Sequence, residues 1–234
     1  MRRSLDLGLY LVIGPDVTLR HSVEQVALAA VAGGVTAVQL RCKDVPTRTF
    51  VALAQALRGA LDVRNMPLLI NDRVDVALAV GAAGVHVGQS DMRPDDARRL
   101  LGPDALIGFS ITNVAEANAL LNDAALRAAT DYVGVGPVFA TNTKLDAAPA
   151  LGLARLAKLC AMLPVPTVAI GGIQLENARE VYASGVSGIA VVSAICAAED
   201  ATAAAQCLIA LRDVDRDAHR QAGRDDHRHS PLVR

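Results

Sequence analysis

The chain has 234 residues, 52% of them hydrophobic and 3% aromatic, with no tryptophan and a formal net charge of −1. That length suits a single α/β barrel, and the composition calls for a core of Val, Leu, Ile and Ala, as in buried parallel strands. A charge so near zero argues against nucleic acid or an anionic membrane surface as a partner.

The predicted elements alternate from the start. Leu9-Tyr10-Leu11-Val12-Ile13 reads as a strand that breaks at Gly14-Pro15, and a helix runs through Val23 to Leu28. Ala37-Val38-Gln39-Leu40 is the second strand, followed after Pro46 by a helix from Thr47 to Leu61. Leu68-Leu69-Ile70 is the third strand, Val74 to Val80 the third helix, stopped by Gly81, and Gly84-Val85-His86-Val87 the fourth strand. A helix from Arg93 to Leu101 has Pro94 and Asp95 as start signals. Leu106 to Phe109 is the fifth strand and Val114 to Leu126 a single fifth helix. Asp131 to Val135 is the sixth strand, followed by a long loop to Leu151. A helix from Leu151 to Leu163, a strand Thr167-Val168-Ala169-Ile170 and a helix from Leu175 to Ala183 come next. Ile189 to Val192 is the eighth strand, and Ala201 to Leu211 the last helix.

Eight strands alternating with eight helices predict a single-domain (β/α)₈ TIM barrel over residues 1–211. Gly33, Gly81 and Gly185 support the count, each standing where a helix should stop in a left-handed conformation before the next strand. A doubly wound open sheet would want a glycine-rich dinucleotide turn after the first strand, and Gly14-Pro15-Asp16 is not one. Residues 212–234 change character, with six Arg, five Asp and three of the five His, and read as a polar, disordered tail. His219, His227 and His229 within it are read as solvated rather than metal-binding.

Four cysteines, Cys42, Cys160, Cys196 and Cys207, stand apart with no CxxC pair. They fit reduced thiols better than a disulfide framework or a zinc site. The opening residues show no apolar region ahead of a small-residue cleavage site, and no apolar run reaches membrane-spanning length. A soluble, cytoplasmic protein is expected.

In a barrel of this kind the reactive site lies at the carboxyl ends of the strands. The second strand delivers Gln39, Arg41, Lys43 and Asp44 there; the third Asn71 and Asp72; the fourth Gln89 and Asp91. The fifth ends in Ser110, Thr112 and Asn113, and the sixth opens into Gly136 to Lys144. Two neighbouring carboxylates with no histidine cluster beside them suit Mg²⁺, which takes one or two carboxylates together with substrate phosphates. Taken alone, Asp72 would equally suit a helix cap and Asp91 a surface turn. Gly171-Gly172 and Val192-Ser193 fall in the loops where barrels often hold a phosphate, although Gly171-Gly172 also suits a plain turn. Thr141-Asn142-Thr143-Lys144 adds two hydroxyls and a cation on the long loop, as an anion clamp would. His86, within a strand, reads as a satisfied interior or interface residue. No nucleophile–base pair stands out, which disfavours covalent acyl chemistry.

Several runs in order carry a resemblance. They are Gln39-Leu40-Arg41-Cys42-Lys43-Asp44, Ile70-Asn71-Asp72-Arg73, Gly84 to Asp91, Gly134 to Lys144, Ala169-Ile170-Gly171-Gly172-Ile173 and Ala190 to Ile195. Together they resemble the thiamine-phosphate synthase family, over about Leu9 to Leu211. The resemblance implies joining a hydroxymethylpyrimidine diphosphate to a thiazole phosphate, carboxylated or not, with release of pyrophosphate. It implies that Gln39, Arg41, Lys43, Asn71, Ser110 and Lys144 hold the pyrimidine diphosphate. Arg41, Lys43, Lys144 and Ser110 would be its catalytic members. It implies one Mg²⁺ per site on Asp72 and Asp91, and the thiazole phosphate on Thr141, Thr143, Gly172, Val192 and Ser193. Leu40, Cys42 and Asn142 complete the substrate-binding runs.

The chain departs from the family pattern in three places. Cys42 stands where an acidic residue is common, Leu145 where a proline often follows the lysine, and Ile111-Thr112 where Thr-His usually follows the serine. The expected mechanism is dissociative, with pyrophosphate leaving before the thiazole nitrogen attacks. A thiazole tautomerase would need no metal–diphosphate half, and a non-catalytic barrel binding a phosphorylated metabolite would need only the glycine loops. A homodimer is compatible with the fold, though no stretch marks an interface.

Overall fold

The computed structural model describes residues 6–18, 20–141 and 148–212. Its strands are β1 (Leu9–Ile13), β2 (Ala37–Leu40), β3 (Leu68–Asn71), β4 (Gly84–Val87), β5 (Leu106–Ile111), β6 (Tyr132–Val135), β7 (Thr167–Ile170) and β8 (Gly188–Val191). Each is parallel to the next, and β1 pairs with β8, so the sheet closes into a barrel and leaves no edge. The helices are α1 (Val23–Ala32), α2 (Thr47–Asp62), α3 (Val74–Val80), α4 (Pro94–Leu101), α5 (Val114–Asn122), α6 (Ala124–Ala129), α7 (Gly152–Met162), α8 (Leu175–Tyr182) and α9 (Ser193–Cys196). Residues 201–212 are helical and are labelled α10. The predicted tail from 213 onward lies outside the described residues; Arg212, the last described residue, pairs with Asp6 at 3.0 Å.

Side-chain alternation along each strand divides the core in two. Outward-facing Leu9, Leu11, Ile13, Val38, Leu40, Ile70, Val85, Ile107, Val133 and Ile189 pack under the helices. Inward-facing Tyr10, Val12, Ala37, Leu69, Leu106, Tyr132, Val168 and Ala190 fill the barrel interior. Because the period along a strand is two, this parity decides which residues past Gln39 can reach the site. Local signals set the helix ends. Ser22 and Gln25 form a reciprocal capping box on α1, and Pro94 opens α4 with the φ that the first turn requires.

Four details differ from the expectations. The fifth helix is two, because Asp123 leaves helical geometry and its carboxylate caps α6 through the amides of Ala125 and Leu126, both at 3.0 Å. Strand β5 continues through Ser110 to Ile111, so Ser110 lies in the strand rather than beyond it. The short helix α9 follows β8 directly. At the first repeat the left-handed residue is Gly34 (φ 107°), with Gly33 still right-handed, whereas Gly81 and Gly185 have positive φ as expected.

Candidate active site

A cavity of about 410 Å³ opens at the carboxyl ends of the strands, and every strand contributes to its wall. Gln39, Arg41 and Lys43 reach it from β2, alternate residues that share one side of the chain. Leu40 and Cys42 do not: Leu40 is fully buried under the helices, and Cys42 packs against the same outer layer. Whatever these two give a ligand must come from their backbone. Burial pushes the Cys42 thiol up to about 11, which leaves it protonated and unreactive at neutral pH.

Asn71 ends β3, Asp72 follows it, and Asp91 follows β4, on one wall of the cavity. The Asp72 amide donates to the His86 carbonyl at 2.8 Å, extending the β3–β4 ladder by one residue. To turn there, Asp72 adopts φ 61°, a left-handed conformation that a non-glycine residue takes only at a cost. Asp91 is oriented by a tight turn in which its carboxylate accepts from the Gly88 amide at 2.8 Å. The Asp91 carboxyl lies near enough to Asp72 to act on its ionisation. Burial first, and then the neighbouring Asp91, push Asp72 up to about 6, while Lys43 pulls the other way. Lys43 Nζ stands 3.9 Å from the Asp72 carboxylate, and Arg41 is 3.8 Å from Asp16 in the loop after β1.

The loops after β6, β7 and β8 form the other wall. Gly171 and Gly172 both have positive φ, at 101° and 64°. A Cβ on Gly172 would lie 2.6 Å from the Ala140 carbonyl oxygen, so only glycine lets this loop fold against the one after β6. Asn177 donates to the Gly172 carbonyl at 3.0 Å, and Gln174 donates to the Ser193 hydroxyl at 2.9 Å, tying the β7 loop to the β8 loop. Val192, Ser193 and Thr141 line this side. Asn142, Thr143 and Lys144 lie outside the described residues.

Several lining residues escaped the sequence reading. Tyr10, Tyr132 and His86 make the floor, Asp16 stands at the rim, and Glu116 faces inward beside Thr112. Glu116 accepts from the Thr112 amide at 2.6 Å and from its hydroxyl, so its carboxylate is already engaged. Inward parity along the strands was the available signal for the two tyrosines. His86 is a satisfied interior residue, with both ring nitrogens in hydrogen bonds.

Among the described residues no group of three or more His, Cys, Asp or Glu gathers as a metal cage. The acidic pair is nonetheless a donor set that suits a hard divalent cation. Two carboxyls share one wall, burial and its neighbour oppose ionisation of Asp72, and space for further oxygen ligands is open beside them. A cation completed by water or substrate phosphate would fit; a closed structural metal site would not.

A closed parallel eight-stranded barrel with its cavity at the carboxyl ends of the strands has the architecture of the TIM-barrel enzymes, whose reactive sites lie at that end. Residues 9–195 match the family model described as thiamine monophosphate synthase. A thiamine-phosphate synthase of Azorhizobium caulinodans is 46% identical over 216 residues, covering 92% of this chain and all of that protein. One from Albidiferax ferrireducens is 50% identical over 208 residues, 88% of this chain and 90% of that protein. The solved thiamine phosphate pyrophosphorylase of Pyrococcus furiosus superposes with a TM-score of 0.79 at 36% identity, covering 90% of this chain and 98% of that one. The chain belongs to the thiamine monophosphate synthase family, and like its relatives it is a transferase that forms thiamine phosphate. No helix among the described residues is long and apolar enough to cross a membrane.

Proposed function

We propose that this barrel joins a pyrimidine carrying a diphosphooxymethyl group to a thiazole ethyl phosphate, releasing pyrophosphate, by a dissociative substitution at the methylene carbon. The observation that carries the reading is the division of one cavity. Carboxylates and cations, Asp72, Asp91, Lys43 and Arg41, form one wall, and the glycine loops with Ser193 form the other. The first half suits a metal-bound diphosphate and the second a phosphate monoester.

In this reading the carbon–oxygen bond to the diphosphate breaks and its electron pair leaves with pyrophosphate. The amino-substituted pyrimidine stabilises the cationic methylene that remains, and the thiazole nitrogen supplies the pair for the new carbon–nitrogen bond. No proton has to move, so the step needs no general base. Lys43 and Arg41 stabilise charge on the departing oxygen, and Lys144 joins them. Gln39, Asn71 and Ser110 hold the pyrimidine half; Thr141, Thr143, Gly172, Val192 and Ser193 hold the thiazole phosphate. Asp72 and Asp91 would hold Mg²⁺, which when bound would neutralise the diphosphate. The protein's contribution is to place the two rings in line and to fix cations where charge develops. Four free thiols among the described residues agree with a cytoplasmic setting.

The metal half is tested by titrating Mg²⁺ into wild-type and Asp91→Ala enzyme while following pyrophosphate. Turnover is expected to fall by roughly a hundredfold or more, as when a charge-stabilising group is lost. The half-saturating Mg²⁺ concentration should rise with it. Unchanged turnover with unchanged Mg²⁺ dependence would overturn the metal assignment.

A further inference from the structure

The barrel floor contains a continuous line of hydrogen bonds contributed by five strands. Gln39 Nε2 on β2 donates to the Tyr10 hydroxyl on β1 at 2.9 Å. The Tyr10 and Tyr132 hydroxyls are 2.9 Å apart, bridging β1 to β6 across the barrel. Tyr132 Oη lies 3.0 Å from His86 Nδ1 on β4, and His86 Nε2 lies 2.9 Å from Ser110 Oγ on β5. From the far side, Gln89 Nε2 donates to the Ser110 carbonyl at 2.6 Å. The line exists because its neighbours are glycines. A Cβ on Gly108 would lie 2.3 Å from His86 Nδ1 and 2.4 Å from the Tyr132 hydroxyl, and one on Gly134 3.0 Å from His86 Cε1.

Counting hydrogens gives the line a direction. A phenol has one hydrogen, and a neutral imidazole has one N–H and one bare nitrogen. The Gln39 N–H fills one lone pair of Tyr10, so the Tyr10 hydrogen has Tyr132 as its protein acceptor. The Tyr132 oxygen then accepts, and its own hydrogen goes to His86 Nδ1. That leaves the imidazole hydrogen on Nε2, where it donates to Ser110. Burial pushes both phenols up, so both keep their hydrogens. A second hydrogen on the ring would not change the Ser110 end, because Nε2 would still donate.

We propose that Gln39, Tyr10, Tyr132 and His86 form a one-way relay that fixes His86 as its Nε2–H tautomer and turns the Ser110 hydroxyl hydrogen into the cavity. Ser110 is thereby a donor, and a ligand must offer it a lone pair. Tyr10, Tyr132 and His86 are positioning residues that act through Ser110. This consequence for the ligand rests on Ser110 belonging to the substrate site; the direction of the relay does not.

Gln39→Glu tests the direction, because a carboxylate at that position accepts where the amide donated. Tyr10 would then donate to Glu, Tyr132 to Tyr10, His86 Nδ1 to Tyr132, and Ser110 to Nε2, withdrawing the serine hydrogen from the cavity. Long-range ¹H–¹⁵N spectra of the resting protein, with His86 assigned by its loss in His86→Gln, distinguish the two tautomers. The relay predicts Nε2–H in wild type and Nδ1–H in Gln39→Glu. Tyr132→Phe provides a second reading should Gln39→Glu fail to fold. Without a donor to Nδ1 the single tautomer should give way to an exchanging pair, and kcat should fall while the KM for thiazole phosphate holds. A wild-type Nδ1–H tautomer, or Nε2–H persisting unchanged in both variants, would overturn the relay. An Nε2–H signal in a wild-type protein that forms no thiamine phosphate would support the relay and count against the substrate reading.

Discussion

The Asp72 carboxylate lies 3.9 Å from the Lys43 ammonium on a backbone held at φ 61°, so a charge partner and a strained turn meet at one residue. Left-handed geometry costs a non-glycine residue about 1–2 kcal/mol, less for Asp than for most. Asp72→Gly should therefore raise the melting temperature by a few degrees while abolishing Mg²⁺-dependent turnover. A thermal melt paired with a product assay checks this. A variant that melts lower, or that keeps full turnover, would contradict the division of roles.

The same carboxyl makes metal-free stability depend on pH. Its folded pKa is raised, from the ordinary carboxylate range up to about 6, by burial and by Asp91. Below the unfolded value Asp72 is protonated in both states and its contribution is fully present. As pH rises through 6 the folded protein must ionise a buried acid beside another, and that stability is lost. The difference is on the order of 2 kcal/mol between pH 4 and pH 7. Urea unfolding in chelator should show the metal-free protein losing stability across this window, less so in Asp72→Asn and less so with Mg²⁺ added.

Lys43 holds the Asp72 pKa down, so Lys43→Met should move that stability edge to higher pH. It should also lower kcat by roughly 10²–10³, the usual loss for one preorganised charge-stabilising group. The pH edge from unfolding and the turnover number, measured on one preparation, should change together. A shifted edge with normal turnover would place Lys43 in structure alone.

Gly172→Ala addresses the opposite wall. A methyl group would lie 2.6 Å from the Ala140 carbonyl oxygen and 2.8 Å from Phe139 Cβ, on a residue at φ +64°. The KM for thiazole phosphate should rise roughly tenfold or more, about 1.4 kcal/mol. The KM for the pyrimidine diphosphate should change far less. Equal effects on both would count against two separate half-sites.

Arg98 provides the contrast at the amino-terminal end of the barrel. Its guanidinium donates to the carbonyls of Gly102, Pro103, Ala105 and Ala129 and meets Asp131 at 2.6 Å. Both side chains are about one-seventh exposed, at 14% and 13%. Arg98→Met should cost about 3 kcal/mol of unfolding free energy by removing the charge partner of the mostly buried Asp131 carboxylate, which keeps the Ile107 amide at 2.7 Å. Turnover should stay within about twofold, because this face of a TIM barrel carries stability rather than chemistry.

Much of the molecule was legible from residue patterns. All eight strands and the loops that carry Asp72, Asp91 and Gly172 follow from apolar runs ended by glycine or by a polar turn. Gln39, Arg41 and Lys43 alternate, and strand parity alone sends them inward while Leu40 and Cys42 turn away. The Asp123 break was hidden because apolar periodicity continues through it, although an aspartate after Asn122 is a cap signal. The Tyr10–Tyr132 contact was out of reach. It joins β1 to β6 across the barrel, and that meeting depends on how the strands stagger at closure, which no local pattern encodes. The positive φ of Asp72 is likewise imposed by the ladder bond to His86 rather than by its own preference.

The most direct measurement mixes purified protein with the pyrimidine diphosphate and the thiazole phosphate, with and without Mg²⁺, and follows pyrophosphate and thiamine phosphate together. Two products in equal amounts, formed only with metal, are the result the structure predicts. Pyrophosphate without thiamine phosphate, or no product from protein shown to be folded, would contradict it.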